Sequence, residues 1–381
     1  MKGNHSALFD ILKLEESALA GLPVQDDLDR FLYERYLDKE SRGGWKLKAY
    51  YALRPFIPRP VQLMLRKNYT AKQEARSFPA WPVEPVIADA ARNVLTAAAG
   101  KGPVHRLSFW PKDRKFAFVI THDVEWDAGL RIAPDIAAIE QRHGFTSSWN
   151  IVPERYPIDW KIVDRLRADG FEIGVHGLKH DGKLFQSHSL FQKRLKKIHQ
   201  YAKDWNAVGF RSPATLRNLE WMPELEFEYD SSYFDTDPYE PQPGGCCTIW
   251  PFFIGDLVEL PMTMPQDHTV FEILGHTDVS LWKKKADWII GQAGMVLINV
   301  HPDYINSPLR LKLYEEFLEY MKQQEGMWNP LPKDAARWWR DRAKSTVVRK
   351  NDSLTIEGPA SETGIVLKTK VENGILVDTQ V

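Results

Sequence analysis

Cysteine is nearly absent: this chain of 381 residues has two, side by side at Cys246 and Cys247. So few thiols exclude a disulfide framework and a cysteine-rich zinc site, and the pair reads as two ordinary loop thiols. Net charge is missing too, since 50 basic residues against 51 acidic ones leave a formal −1. Without a one-signed field the chain has no electrostatic footprint for nucleic acid. No apolar run reaches the ~18 residues of a membrane span. The opening stretch M-K-G-N-H-S-A-L-F-D-I-L-K-L-E-E-S lacks the apolar core and small-residue cleavage site of a secretory signal. A cytoplasmic protein is the expectation. Internal repeats and low-complexity tracts are absent as well, and the length suits one large α/β barrel of about 250 residues with smaller additions.

What is present, from about Phe116 onward, is an alternation of short β-branched or aromatic runs with helical patterns, the mark of repeated βα units on a parallel sheet. F-A-F-V-I-T, S-S-W-N-I-V, F-E-I-G-V-H, A-V-G-F-R, L-V-E-L-P-M and M-V-L-I-N-V-H read as strands. Helical stretches lie between them at Pro134 to His143, Trp160 to Ala168, Leu190 to Trp205, Val279 to Gln292 and Leu309 to Gln324. Six or seven strands predict an incomplete barrel. The proline- and glycine-rich segment Thr236 to Thr248 is neither strand nor helix and is long enough to shape a binding site. Residues 1–105 read as a helical N-terminal extension and 106–343 as the barrel. Residues 344–381 form a small antiparallel β appendage, with Asn373-Gly374 as the hairpin turn between alternating runs. Within the extension, Arg54 to Arg76 carries six basic residues against Glu74 alone, beside aromatic residues. This stretch either packs its apolar side on the barrel or makes peripheral contact with an anionic membrane or a lipid-linked glycan.

Chemistry collects at the ends of the strands. In T-H-D-V-E, period-two alternation puts Thr121, Asp123 and Glu125 on one face and His122 and Val124 on the other. Two carboxylates on one face suit a hydrolytic metal site, one to bind the ion and one to take a proton from water. In H-G-L-K-H, His176 and His180 follow a strand at a spacing that lets both reach one divalent ion. Arg211 in R-S-P ends a strand, and a guanidinium beside a carboxylate keeps it ionised and oriented. His301 in N-V-H-P-D ends another strand and can give a proton to a leaving nitrogen. Each alone is more often structural, but the C-terminal face of a barrel is where such enzymes hold their active sites. His143, His188, His199, His268 and His276 have ordinary helix or loop settings; His122 could ligate only if its strand ended early.

The ordered set T-H-D-V-E, H-G-L-K-H, R-S-P and L-I-N-V-H, with Y-D-S-S at Tyr229 to Ser232, resembles the polysaccharide deacetylase family, the NodB homology group of carbohydrate esterases. The match runs from Phe116 to Tyr304. The resemblance implies a deformed (β/α)7 barrel and hydrolysis of N-acetyl groups on amino sugars of a glycan or glycan precursor of the cell envelope. It also implies one divalent ion, zinc first, with cobalt, manganese or nickel as substitutes. Carried over by position, Asp123 would be the general base, Arg211 its partner, His176 and His180 metal ligands and His301 the general acid. The family's usual second aspartate is Val124 here, and the same-face pattern selects Glu125 as third ligand in its place. Asp267, ending L-P-M-T-M-P-Q-D, is the candidate that tunes His301, with Asp278 as its competitor. Pro213, Tyr239 and Trp250 are candidate substrate contacts, Trp221 and Tyr233 lying in similar segments. Two other readings stay open: a hydrolase of a non-sugar amide such as a ureide or cyclic imide, and a catalytically dead carbohydrate-binding protein. Oligomeric state is not legible.

Overall fold

The computed structural model describes residues 7–15, 18, 28–37, 57–58, 78–351 and 353–381. The basic segment 54–76 lies, except for 57 and 58, outside the described residues. Its strands in chain order are β1 (Val104–Leu107), β2 (Phe116–Val124), β3 (Ser148–Ile151), β4 (Glu172–His176), β5 (Gly209–Arg211), β6 (Tyr229–Asp230), β7 (Phe252–Ile254), β8 (Leu257–Glu259), β9 (Met295–Val300), β10 (Met327–Trp328), β11 (Thr346–Lys350), β12 (Ser353–Glu357), β13 (Val366–Glu372) and β14 (Ile375–Gln380).

Seven strands run parallel in the order β9-β2-β3-β4-β5-β6-β8. β2 is buried along its whole length, which is why its first five residues, Phe116 to Ile120, read as a continuous apolar run: helices cover one face of the curled sheet and the barrel interior takes the other. The seam between β8 and β9 is closed by the chain just after β8. There Met264 N–H donates to Leu297 O at 3.0 Å and Leu297 N–H donates to Thr263 Oγ1 at 2.8 Å. With one seam bridged by loop rather than strand, the fold is a deformed (β/α)7 barrel. β7 adds an antiparallel edge to β8 and β10 pairs with the start of β2.

The expected helices appear with one difference. The helix expected from Pro134 runs Asp127–His143 and contains that proline. Its missing N–H costs one intrahelical bond, while the true N-terminus at Asp127 is held by the Asp303 carboxylate, which accepts Gly129 N–H at 3.0 Å. The stop is as the pattern predicts, at Gly144 with φ 79° in the left-handed region. Helix Pro332–Ala343, whose buried Ala335, Trp338, Trp339 and Arg342 recur at helical spacing, and the short strands β1, β6, β7 and β10 lie outside the elements expected from sequence.

β13 and β14 form the hairpin expected at Asn373-Gly374, both with positive φ. β13 also pairs with β1, Val104 facing Thr369 and Leu107 facing Val366. A lone hairpin is marginal in water, so this third strand supplies the docking it needs. Arg342 of helix Pro332–Ala343 ties the same region together by donating to the carbonyls of Ile11, Leu107 and Ser108. Residues 28–37 reach the loop Thr236–Thr248: buried Glu34 pairs with Arg217, and Tyr36 OH donates to Gly245 O at 2.7 Å. Among the described residues no helix is long and apolar enough to cross a membrane.

Beneath the barrel, Glu172 at the start of β4 is buried and accepts from Tyr229 OH at 2.9 Å and from Lys333 N–H at 3.1 Å. Burial lifts its carboxyl from 4.5 to about 7 despite those bonds. An acid whose folded pKa is raised contributes stability that is fully present below its unfolded value of about 4.5 and is lost as pH rises through about 7. Glu172→Gln keeps the shape and the neutral form. The variant should lose pH dependence worth on the order of 3 kcal/mol, seen as a flatter plot of Tm against pH between 5 and 8 than that of the parent.

Candidate metal centre

The C-terminal ends of β2, β4, β5 and β9 meet at one mouth. β2 brings Asp123 and, just past its end, Glu125. β4 ends at His176, and the chain turns through Gly177 and returns with His180, both with positive φ. Gly177 is required twice over, because a Cβ there would also lie 2.4 Å from the ring of Pro213. As a result one donor atom from each of Glu125, His176 and His180 lies within 4.8 Å of the others.

Hydrogen bonding fixes how the donors point. His176 Nδ1 lies 3.1 Å from Arg211 O, a carbonyl that can only accept, so Nδ1 carries the proton and Nε2 presents its lone pair inward. Nε2 of His176 and Nε2 of His180 are both buried with no hydrogen-bond partner among the described residues. His180 Nε2 lies 2.9 Å from Glu125 Oε1. Two imidazole Nε2 atoms and a carboxylate turned toward one point, His176 Nε2 with no other partner among the described residues, make a donor set suited to a divalent cation. Burial drives His176 down to about 4 against the pull of Asp123, so the ring is neutral at pH 7. Burial would raise Glu125, but His180 beside it outweighs that and holds the carboxyl well below its usual range.

Asp123 is 2% exposed and completely held. Its Oδ1 accepts from Asn150 Nδ2 at 3.0 Å and from Arg211 Nη1 at 3.3 Å, and its Oδ2 from Asn299 Nδ2 at 2.9 Å. Asn150 has room because residue 174 is glycine: a Cβ there would lie 2.2 Å from Asn150 Oδ1. Burial favours the neutral acid, yet Arg211 first, then His176 and His301, bring Asp123 down to about 2. Arg211 is itself locked by donating to Ser231 O at 2.7 Å, Ser231 Oγ at 2.8 Å and Thr121 Oγ1 at 3.0 Å.

Across the centre, His301 Nε2 lies 4.0 Å from Asp123 Oδ2 and 4.0 Å from Glu125 Oε1. Its Nδ1 bonds Asp267 Oδ1 at 2.7 Å, and Asp267 Oδ2 accepts the backbone N–H of His301 at 3.0 Å. Burial opposes the charged ring, but Asp267 overrides it and raises His301 to about 10. Asp278 is the residue left out: it accepts from Ser280 N–H and Oγ at the head of helix Ser280–Gly291. His122 points to the opposite face, as alternation predicts, with Nε2 2.7 Å from Glu140 Oε1.

The expected substrate contacts fare differently. Pro213 lines a narrow cleft beside His180 with Leu178, Leu184 and Leu216. Tyr239 is buried edge-on to Trp81. Trp250 is buried, stacked on Phe109 with its Nε1 donating to Ala293 O. Since Ala293 precedes β9, Trp250 lies at the end of the barrel away from His301 and presents no ring to a sugar. An aromatic residue in a Pro/Gly-rich loop looks exposed in sequence, but this loop is almost wholly buried.

Three polar residues in the centre were not singled out from sequence. Asn150 and Asn299 have no signal beyond their place at strand ends. Asp303, two residues past His301, accepts Glu125 N–H at 3.0 Å and Gly129 N–H at 3.0 Å, clamping the segment that carries the third donor. Gly129 permits this, because a Cβ there would lie 2.5 Å from the Asp303 carboxylate. Asp303→Asn turns one acceptor into a donor facing an N–H. The expected result is a 10- to 100-fold weaker hold on a divalent ion, roughly the effect of losing an outer-shell partner, measured by competition with a chelator.

No sequence-family profile and no curated protein matches the chain. Among solved structures, the chain is similar to a protein designated a polysaccharide deacetylase from Mycobacterium smegmatis. Identity is 17%, with 61% of this chain and 92% of that one covered and a TM-score of 0.47. It is similar to the Puue allantoinase at 16% identity, 61% and 93% coverage and a TM-score of 0.49. A protein designated a polysaccharide deacetylase from Pseudomonas aeruginosa PAO1 gives 17%, 61% and 94%, and 0.46.

Proposed function

We propose that this protein is a metal-dependent hydrolase that removes N-acetyl groups from amino-sugar residues of a glycan or glycan precursor. The observation that carries the reading is the convergence of Glu125, His176 and His180, flanked 4.0 Å from Glu125 and Asp123 by His301. The motif order seen in the sequence supports the acetyl amide as the bond cleaved. Glu125, His176 and His180 would hold the ion. When bound, a divalent ion, zinc first with cobalt, manganese or nickel as substitutes, polarises the acetyl carbonyl and lowers the pKa of water to about 7.

The chain supplies the proton traffic. Asp123, ionised and fixed by Arg211 and two side-chain amides, accepts a proton from the attacking water. A C–O bond forms at the acetyl carbon and the C–N bond breaks. His301, kept protonated by Asp267, delivers its Nε2 proton to the departing amine, so the products are acetate and an amino sugar. A cytoplasmic step in making a cell-envelope glycan belongs to this reading, as does peripheral contact of the basic segment with a membrane or lipid-linked substrate.

The test is metal analysis of the purified protein followed by acetate release from a panel of N-acetylated glycans. One ion per chain with free acetate and a new amine supports the proposal. A carboxylate with nothing released would replace it with ring opening of a cyclic amide. Less than one ion, indifferent to His176→Ala, would replace it with a non-catalytic carbohydrate-binding role.

A further inference from the structure

Trp126 is the residue directly after Glu125, and its side chain is 50% exposed, beside a centre whose other groups are almost wholly buried. The guanidinium of Arg155 lies 3.6 Å from the centroid of its ring. That arginine also donates to His180 O at 3.2 Å, so the stacked pair bridges the segments that carry two of the three metal donors. The loop after β3 that supplies Arg155 is braced on both sides. Tyr156 OH donates to Val124 O at 2.8 Å and Glu154 N–H to Leu178 O at 2.9 Å. One face of the indole is backed by a cation on a fixed loop, and half of the side chain is open to solvent one residue from Glu125.

A large apolar ring left half in water is not explained by the core, to which Trp126 contributes nothing, nor by capping, since no side-chain cap is made at this helix start. Its rigidity and position suit a flat, partly apolar ligand next to the reacting group. A pyranose ring offers such a face through its axial C–H bonds, and stacking on an aromatic face tolerates differences in its hydroxyls. The cation behind the ring draws on the opposite π-face and holds the indole in one orientation.

We infer that Trp126, backed by Arg155, is a stacking subsite for the sugar ring neighbouring the residue whose acetyl group is removed. This rests on the proposed deacetylation and deepens it: the substrate is then an oligomer of at least two residues bound across the mouth. The subsite is a source of length selectivity.

The experiment uses N-acetylglucosamine and its β-1,4- and β-1,6-linked tetramers with the metal-loaded full chain. Acetate release is measured for the parent, Trp126→Ala and Trp126→Tyr. Binding is followed by tryptophan fluorescence in an Asp123→Asn background. The expected result is that the ratio of kcat/KM for the better tetramer over the monomer falls roughly tenfold in Trp126→Ala, a 1.4 kcal/mol effect. Trp126→Tyr should restore most of it, and metal content should be the same in all three. Tetramer binding should change the fluorescence of Asp123→Asn but not of the double variant Asp123→Asn/Trp126→Ala. An unchanged ratio with equal tetramer affinity overturns the subsite while leaving deacetylation standing. Absence of acetate release and of binding with every sugar overturns both.

Discussion

Asp123→Asn should lower acetate release by roughly 10²- to 10⁴-fold, the usual effect of losing a positioned general base, while the protein still binds one divalent ion. The two effects separate because Asp123 is not one of the three converging donors: its oxygens are engaged by Asn150, Arg211 and Asn299. His176→Ala should do the reverse and abolish ion binding, with activity falling as a consequence. Stability must be followed in parallel. Asparagine at 123 leaves the buried Arg211 guanidinium without its counter-charge, a loss of about 3–5 kcal/mol when a buried pair is broken from one side. Activity is therefore compared on folded, metal-loaded protein, with ion content measured by atomic spectrometry. If Asp123→Asn released acetate at the parental rate, the proton would have another acceptor and the assignment of Asp123 would fail.

The second large effect concerns Asp267. His301 is useful as an acid only while protonated, and Asp267 is what raises it to about 10 against burial. Protonated His301 is present below that value and lost above it, so the activity should fall along an alkaline limb set by this ring. Asp267→Asn removes the charge but retains an oxygen that can still accept from the ring or from the backbone N–H of His301. Burial then acts unopposed by its main counterweight. The alkaline limb should move to lower pH, and activity at pH 8 should drop by about 10²-fold, the lower range for impaired acid catalysis. A merely structural role for Asp267 would lower activity equally at every pH. The pH profile of kcat for the two proteins decides between them, and an unmoved limb would reject the link between Asp267 and His301.

Much of the centre was legible in the sequence because it lies at strand ends. Alternation along β2 is dictated by the pleat, so Asp123 and Glu125 had to share a face and His122 had to turn away, where it meets Glu140. Gly174 and Gly177 could be seen as odd residues at the end of a strand, but not why they are glycine. Their reasons are the Asn150 side chain and the Pro213 ring, which come from other strands. The choice between Asp267 and Asp278 was likewise open along the chain. The loop after β8 lays Asp267, and not Asp278, against His301 at the end of β9.

Trp250 and Trp126 show the same limit from opposite sides. An aromatic residue in a loop gives no sign of which end of the barrel it faces, and Trp250 is packed on Phe109 below while Trp126 stands at the mouth. Sequence alone determined which residue types stand at which strand ends, because period-two and 3.6-residue patterns are local consequences of backbone geometry. Only the tertiary structure decided which of those ends converge, that Asp303 clamps Glu125, and that β1 carries the C-terminal hairpin. These depend on how distant segments close around a shared core, and no local pattern encodes that closure.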